Sequence, residues 1–507
     1  MGKLFYLDRL SIANTLILAT IIGCVLQDVI ATVAPADQQA SSSTRVETHT
    51  CETEDLNHSI LVECNVTSCA RPTISSIREE HGAGGEKIDW PLESSQIIHV
   101  YSTLAGERFA QVSLPNLDYE EDYRARLLDI NTTLYVKMVN TLDWDGVERH
   151  NLAGFGATLD FMKLERALNE GQFERLFGLI FDDLFRGISS GANLTVLRLY
   201  INLGQNQKER NLQATLLKLD DQLGKRASRL PAKLKLMIDL YNYAESSDLE
   251  LSSNFTRSLV NTQLWAVSID TGFKNSAKSR VSEPILPPDT LLFASTEPLL
   301  APYIVDELNR KPASKFQGIL IRSKSSVPYN YLQYSRKHAR SNIRLMTVGR
   351  ASPKTKNLGD WQNAQESASE LMNHLKYGSN GYIDHESVLD VLADQPDDGQ
   401  SSDCSLYSLH QDHGLHFRGP KFYALGHFSR YLKEGSLPLE TELFTQPNMF
   451  AAQYSAFMSA DRQYVVGVVL NDNEHLLPFR LAIDKQIRVF ANLEPKSFNT
   501  FLIKLGN

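Results

Sequence analysis

Between residues 152 and 386, short apolar runs alternate eight times with longer connecting stretches, and this pattern constrains the fold more than any other feature of the chain. The runs are Leu152–Leu159, Leu194–Ile201, Leu234–Tyr241, Leu264–Asp270, Thr290–Ser295, Phe316–Ser323, Ile343–Gly349 and Gly381–Glu386. Most of the connections carry helical periodicity: Met162–Phe185, Gln207–Arg226, Leu299–Arg310, Tyr329–Arg340 and Trp361–Tyr377. In the first of these, Leu164, Leu168, Phe173, Leu176, Leu179, Ile180 and Leu184 recur at three-to-four spacing, the signature of one apolar helix face. Near-continuous apolar strands separated by helices are parallel and buried on both faces. Eight such units close into a (β/α)8 TIM barrel, so the fold class is α/β. The connection Thr271–Asp289 lacks a helical pattern, which leaves an open doubly wound sheet as the alternative.

Both flanks change to strand alternation. Ile97–Ser102, Phe109–Leu114 and Thr132–Val139 precede the barrel; Tyr464–Leu470, Leu476–Ile483 and Phe501–Leu505 follow it. A β-module at each end of a barrel sequence predicts one all-β, sandwich-like domain built from both chain ends. The expected division is 51–147 for the first β segments, 148–436 for the barrel with a loop or β insertion at about 387–415, and 437–507 for the closing strands.

Lys3 and Arg9 precede the apolar run Leu16–Leu26, the arrangement of a secretory signal. Residues 1–34 are read as that signal and the Ser/Thr/Gln/Ala-rich 35–50 as a flexible leader. Five sequons fit a glycosylated secretory protein: Asn57, Asn65, Asn131, Asn193 and Asn254. Cys64 and Cys69 are close enough to form a small disulfide loop, while the pairing of Cys51 and Cys404 is left open. A net charge of -9 excludes the concentrated basic surface that nucleic acid needs. His410, His413 and His416 surround Gly414 and read as surface loop residues rather than metal ligands. No metal or cofactor is expected.

Several segments resemble the lysosomal glucosylceramidase (glucocerebrosidase) family of retaining β-glucosidases. Cys64-Asn-Val-Thr-Ser-Cys69 is similar to its N-terminal disulfide loop, and Ala153-Gly-Phe-Gly-Ala157 to a turn ending its first barrel strand. Leu197-Arg-Leu199 and Leu264-Trp-Ala-Val-Ser268 resemble its second and fourth strands. Phe422–Ser436 runs nearly residue for residue with its last barrel helix, and Tyr464–Asn471 fits its C-terminal β-domain. The resemblance implies a barrel with a both-ends β-domain, and a family reaction that hydrolyses glucosylceramide to glucose and ceramide. It also implies a lysosomal or extracellular location, a glycolipid or glycan ligand, an activator-type protein partner and association with a membrane surface.

Retaining glycosidases need two carboxyl groups roughly 5–5.5 Å apart. The resemblance places Gly272 at the family's acid/base position and Gly349 at its nucleophile position, and glycine can serve neither role. The sugar platform departs too. Gly204-Gln205-Asn206 follows the second strand, Tyr241 stands for a tryptophan after the third, Phe273 for the proline beyond the acid/base, and Arg322-Ser-Lys324 follows the sixth. Gly378 and Gly381 align with two tryptophans after the eighth. Gln205, Tyr241 and Phe273 are the candidate binding residues. Asp270, Glu297 and Glu386 are the candidate replacement carboxylates, with Asp239 and Asp384 also near strand ends. Sequence alone therefore favours a barrel that has lost its chemistry, with relocated carboxylates as the alternative.

Overall fold

The eight apolar runs become the eight strands of a closed parallel barrel: β1 (Gly154–Asp160), β2 (Val196–Asn202), β3 (Lys235–Tyr241), β4 (Gln263–Asp270), β5 (Leu291–Thr296), β6 (Phe316–Arg322), β7 (Arg344–Val348) and β8 (Gly381–Ile383). The ring closes where β8 meets β1, with Gly381, Tyr382 and Ile383 opposite Gly154, Phe155 and Gly156. The open-sheet alternative is therefore excluded. The structure is a computed structural model that describes residues 53–505 with interruptions. The principal interruptions are 65–96, 118–131, 139–150, 161–177, 186–190, 203–208, 227–233, 242–258, 271–285, 323–328, 350–360, 391–404 and 446–451, with shorter ones elsewhere.

Why these runs are apolar on both faces is now plain. Val196, Met237, Ala266, Phe293, Leu320, Met346, Val348 and Ile383 pack against one another inside the barrel. The alternate residues, among them Leu197, Leu199, Ile238, Leu240, Val267, Ile269, Ile319 and Leu345, pack outward against the helical layer. A strand period of two sends neighbours to opposite faces, and here both faces are dry.

Six helices are described: α1 (Gly178–Phe185), α2 (Glu209–Lys225), α3 (Ala301–Arg310), α4 (Tyr329–His338), α5 (Trp361–Lys376) and α6 (Pro420–Ser429). In α3 the buried set is Ala301, Ile304, Val305 and Leu308, the stripe that periodicity predicts. Every residue of α6 is buried. It lies between the barrel and the accessory sheets, and His427 fastens it there. The ring nitrogens of His427 lie 2.9 Å from the Thr500 and Ser102 hydroxyls.

The accessory domain is built from both ends, as the flanking patterns predict. Strands 437–438, 453–458, 464–471, 497–504, 97–103 and 110–114 form a six-stranded sheet; 440–445, 132–137, 477–483 and 487–493 form a four-stranded one. Ile97, Val465, Val469, Phe501 and Ile503 of the first share a core with Leu134, Val136, Phe479 and Leu481 of the second. The sequence reading did not anticipate the strand at 487–493, which completes the four-stranded sheet.

Three local details depart from the sequence reading. Thr53–Asp55 and Ile60–Cys64 do not enter the sandwich; they pair with 415–418, 407–410 and 388–390 in a separate five-stranded sheet. The barrel insertion therefore has a strand framework; His410 and His416 lie on paired antiparallel strands, and 411–414 between them lies outside the described residues. The Gly-Phe-Gly segment opens β1 instead of ending it. Gly154 there has φ +137°, which an L side chain rarely adopts, and a Cβ would meet the Thr195 hydroxyl.

Asp183 of α1 holds the five-stranded sheet to the barrel. It accepts hydrogen bonds from Tyr407 Oη (2.8 Å) and Arg418 Nε (2.8 Å), and Arg418 Nη2 lies 2.5 Å away, all of it buried. Burial and the neighbouring carboxylate push the Tyr407 phenol well above its usual range.

Candidate functional site: the barrel mouth

In this fold, chemistry gathers at the C-terminal ends of the strands. Inward positions there carry polar residues from consecutive strands: Thr158 (β1), Arg198 (β2), Asp239 (β3), Ser268 (β4), Ser295 (β5) and Arg322 (β6). All but Arg322 are buried, with Asp239 and Ser268 fully so.

The group at the centre is Asp239. Arg198 donates to its Oδ2 from Nε (3.0 Å) and Nη2 (2.5 Å), while Arg198 Nη1 donates to Thr158 Oγ1 (3.0 Å). Thr158 passes the chain on to the Asp384 carbonyl. Arg322 reaches across from β6, with Nη1 3.9 Å from Asp239 Oδ2 and Nη2 3.3 Å from Asp270 Oδ2. Burial would raise the Asp239 carboxyl, but Arg198, Arg322 and Ser268 overcome it and hold the group below its ordinary value. Both mouth carboxylates thus pair with arginine. Asp239, held in its charged form, is a poor proton donor.

Aromatic rings flank this network. The Arg322 guanidinium lies 4.8 Å from the Tyr241 ring centre, and the Tyr200 and Tyr241 rings are 6.0 Å apart. Tyr241 is half-buried at the mouth, where the sequence reading placed it. His385, just beyond β8, is pushed down to about 4, mainly by burial, then by Arg198, Lys421 and Arg322. Asp384 pairs with Lys421 of α6 in a buried contact that ties β8 to the last helix.

Gly349 lies one residue past β7. A Cβ built on it would collide with the Tyr382 hydroxyl and come within 2.7 Å of Tyr382 Cζ. Tyr382 points outward into the helical layer, where its hydroxyl donates to Glu370 Oε2 of α5 (3.1 Å). The inward-facing residue at the end of β7 is Val348, buried beside Ile383. Neither position presents a carboxylate. Gly349→Ala is expected to destabilise the fold by about 1–3 kcal/mol through overpacking. Adding Tyr382→Phe, which removes the hydroxyl, should recover part of that loss in thermal unfolding; no recovery would show that the phenol is not what limits the space.

The other sequence candidates distribute as follows. Asp270 ends β4 and lies at the mouth, paired with Arg322. Glu297 lies beyond β5, half-buried, as the N-cap of a short 3-10 turn over Pro298–Leu300. Gly378 and Gly381 precede or begin β8 at the opposite end of the barrel, so they do not stand where the resemblance placed two sugar-binding tryptophans. Asn193 has φ +56°, and its Nδ2, the atom a glycan would join, donates to the carbonyls of Ser429 (3.3 Å) and Arg430 (3.4 Å). Gly272, Phe273, Gln205, Glu386, Cys69, Asn57, Asn65, Asn131, Asn254 and the whole 1–50 segment lie outside the described residues; Cys64 ends a described strand. Among the described residues, no group of His, Cys, Asp and Glu is placed to hold a metal ion, and no helix is long and apolar enough to cross a membrane.

The sequence reading missed the Arg198–Asp239–Arg322–Asp270 network. Its signal was present: a charge inside each of two apolar strands, at positions where the strand period points inward.

A closed parallel barrel with β-sheets built from both chain ends recurs among solved structures. SrfJ from Salmonella typhimurium has this fold, with TM-score 0.58 and 13% identity over 81% of this chain and 100% of that one. An endo-β-1,6-glucanase matches equally well, with TM-score 0.57 and 12% identity over 81% of this chain and 100% of that one. In sequence, the protein named "Putative glucosylceramidase 3" of Caenorhabditis elegans is 25% identical over 147 residues, which is 29% of this chain and 27% of the relative. A second from the same organism, "Putative glucosylceramidase 1", is 22% identical over 151 residues, 28% of its length. The matched stretch thus spans little more than a quarter of these relatives. No family model matches the chain. In sequence the chain is thus similar to proteins named as glucosylceramidases over part of their length, and in fold it is similar to these solved barrel structures.

Proposed function

We propose that this chain is a non-catalytic member of the glucosylceramidase-like glycoside hydrolases, one that keeps the scaffold and uses the barrel mouth for binding. The observation that carries this reading is the end of β7, where the inward-facing residue is Val348 and Gly349 faces the outward Tyr382, so neither presents a carboxylate to the mouth. The arginine pairing of Asp239 and Asp270 supports it, because two clamped carboxylates do not replace a free acid and a free nucleophile. The ligand class is a glycan or the sugar head of a glycolipid, with Tyr241 as its ring platform. An activator-type protein partner and contact with a membrane surface belong to the same reading, as does a secretory route ending in the lysosome or outside the cell.

The test is turnover of 4-methylumbelliferyl β-glucoside by the purified protein between pH 4.5 and about 7, spanning the range where carboxylates titrate. No turnover above a heat-denatured control is expected. Clear turnover abolished by Asp270→Ala would overturn the proposal and install the relocated-carboxylate reading in its place.

A further inference from the structure

The outer face of the four-stranded sheet carries a second concave site, well away in sequence from every residue of the barrel mouth. It is a depression of about 850 Å³ lined by Thr133, Tyr135, Val136, Lys137, Glu442, Phe444 and Asp484. Strand pairing makes this row: Phe444 lies opposite Thr133, Glu442 opposite Tyr135 and Glu440 opposite Lys137. Leu134 and Val136 point the other way, into the sandwich core.

Phe444 is 52% exposed, which is unusual for so large an apolar side chain on an otherwise polar face. The Tyr135 and Phe444 rings form a T-shaped pair at 5.2 Å and 86°, so Tyr135 braces a Phe444 ring that remains half exposed. Arg480, itself buried, supports Tyr135 from behind, with Nη1 3.4 Å from the phenol oxygen. The charged groups line one side. Lys137 Nζ lies 2.8 Å from Glu440 and 3.8 Å from Glu442, and Asp484 Oδ1 accepts the Met138 amide at 3.1 Å.

An open aromatic ring beside carboxylates and an ammonium matches one ligand chemistry better than others. A pyranose with equatorial hydroxyls has a flat C–H face that stacks on a ring, and a hydroxyl rim that both donates and accepts hydrogen bonds. Carboxylates accept from vicinal hydroxyls, and a lysine donates to them. The two glutamates and the aspartate disfavour a phosphate or another anion. The volume lies within the range of small-molecule sites.

We infer that this sheet face is an oligosaccharide-binding site for pyranoses with equatorial hydroxyls, separate from the barrel mouth. It holds whether or not the barrel is catalytic.

The test is titration of the full chain with cellotetraose and gentiotetraose, followed by ligand-observed NMR and calorimetry. Millimolar or tighter binding of at least one is expected. Phe444→Ala should weaken it about tenfold or more, the scale of one lost stacking contact. Phe444 is exposed, so the variant should fold, and an unchanged unfolding midpoint verifies that. Glu442→Gln should weaken binding without touching the ring. Tyr241→Ala, at the barrel mouth, should leave it within twofold. Absence of binding to both sugars overturns the inference, as does Phe444→Ala binding like the parent, or loss of binding in Tyr241→Ala alone. Phe444-dependent adsorption to phosphatidylcholine vesicles with no sugar binding would also overturn it, assigning the face to lipid.

Discussion

Asp239→Ala should cost about 3–5 kcal/mol of folding stability, because it leaves Arg198 charged and fully buried with no carboxylate to answer it. The penalty comes from the orphaned partner more than from the lost attraction. Arg198 sits at 2% exposure inside the barrel, and without Asp239 it keeps its hydrogen bond to the Thr158 hydroxyl. Arg322 would lose only its weaker 3.9 Å contact and keep Asp270. Removing both charges at once, with Arg198→Met and Asp239→Leu, should recover most of the loss, because an apolar pair of similar bulk needs no desolvated ions. Urea unfolding monitored by far-UV circular dichroism decides between the outcomes. A single-variant loss below about 1 kcal/mol, the scale of an exposed ion pair, would mean that Arg198 finds water or another acceptor, and the mouth would then be wetter than its burial implies.

Acidification should destabilise the protein strongly between pH 6.5 and 4. Burial lowers His99 to about 4, His374 to about 3 and His385 to about 4, and pushes His427 well below its ordinary value. Each is neutral in the folded chain while the unfolded chain takes up a proton near pH 6.5. The unfolded state therefore binds more protons across this window, so stability is fully present above pH 6.5 and is lost as pH falls toward the folded values. Each histidine contributes on the order of 1 kcal/mol per pH unit. Together the four outweigh any single ion pair described above. Denaturant midpoints at pH 7.0 and 5.0 should differ by several kcal/mol converted to free energy, and His427→Gln should reduce that slope. A midpoint unchanged or higher at pH 5.0 would defeat the prediction.

The barrel was legible in the sequence because eight apolar runs had strand length and period-two burial on both faces. Strand bounds differ by one to three residues, from Leu234–Tyr241 against Lys235–Tyr241 to Gly381–Glu386 against Gly381–Ile383. The last helix was legible for another reason: Phe422–Ser436 carries a specific pattern, and the structure gives that pattern a cause in the burial of every α6 residue. Less was legible at the mouth. Tyr241 and Asp270 could be placed by counting along strands, but the link between Asp239 and Arg322 joins β3 to β6, and no local pattern encodes a contact across a barrel. Tyr382 was invisible in the same way, since its effect on Gly349 depends on two neighbouring strands and a glutamate on α5. The pairing of 53–64 with 407–418 is also non-local, which is why those strands were assigned to the wrong sheet.

Strand pairing between the chain's two ends also sets the order in which this protein can be made. Ile97 lies opposite Ile503, and Thr132 opposite Thr445 and Phe479, contacts hundreds of residues apart along the chain. Such high-order contacts close large loops before they return any stability, so they form late. During synthesis the first β segments leave the ribosome with four of six strands missing from one sheet and three of four from the other, edges open and apolar faces uncovered, until the final strand 497–504 arrives. The nascent chain must therefore be shielded through nearly its whole translation. A stop codon anywhere before that last strand leaves the sandwich unfinished and α6 without the sheet that covers it.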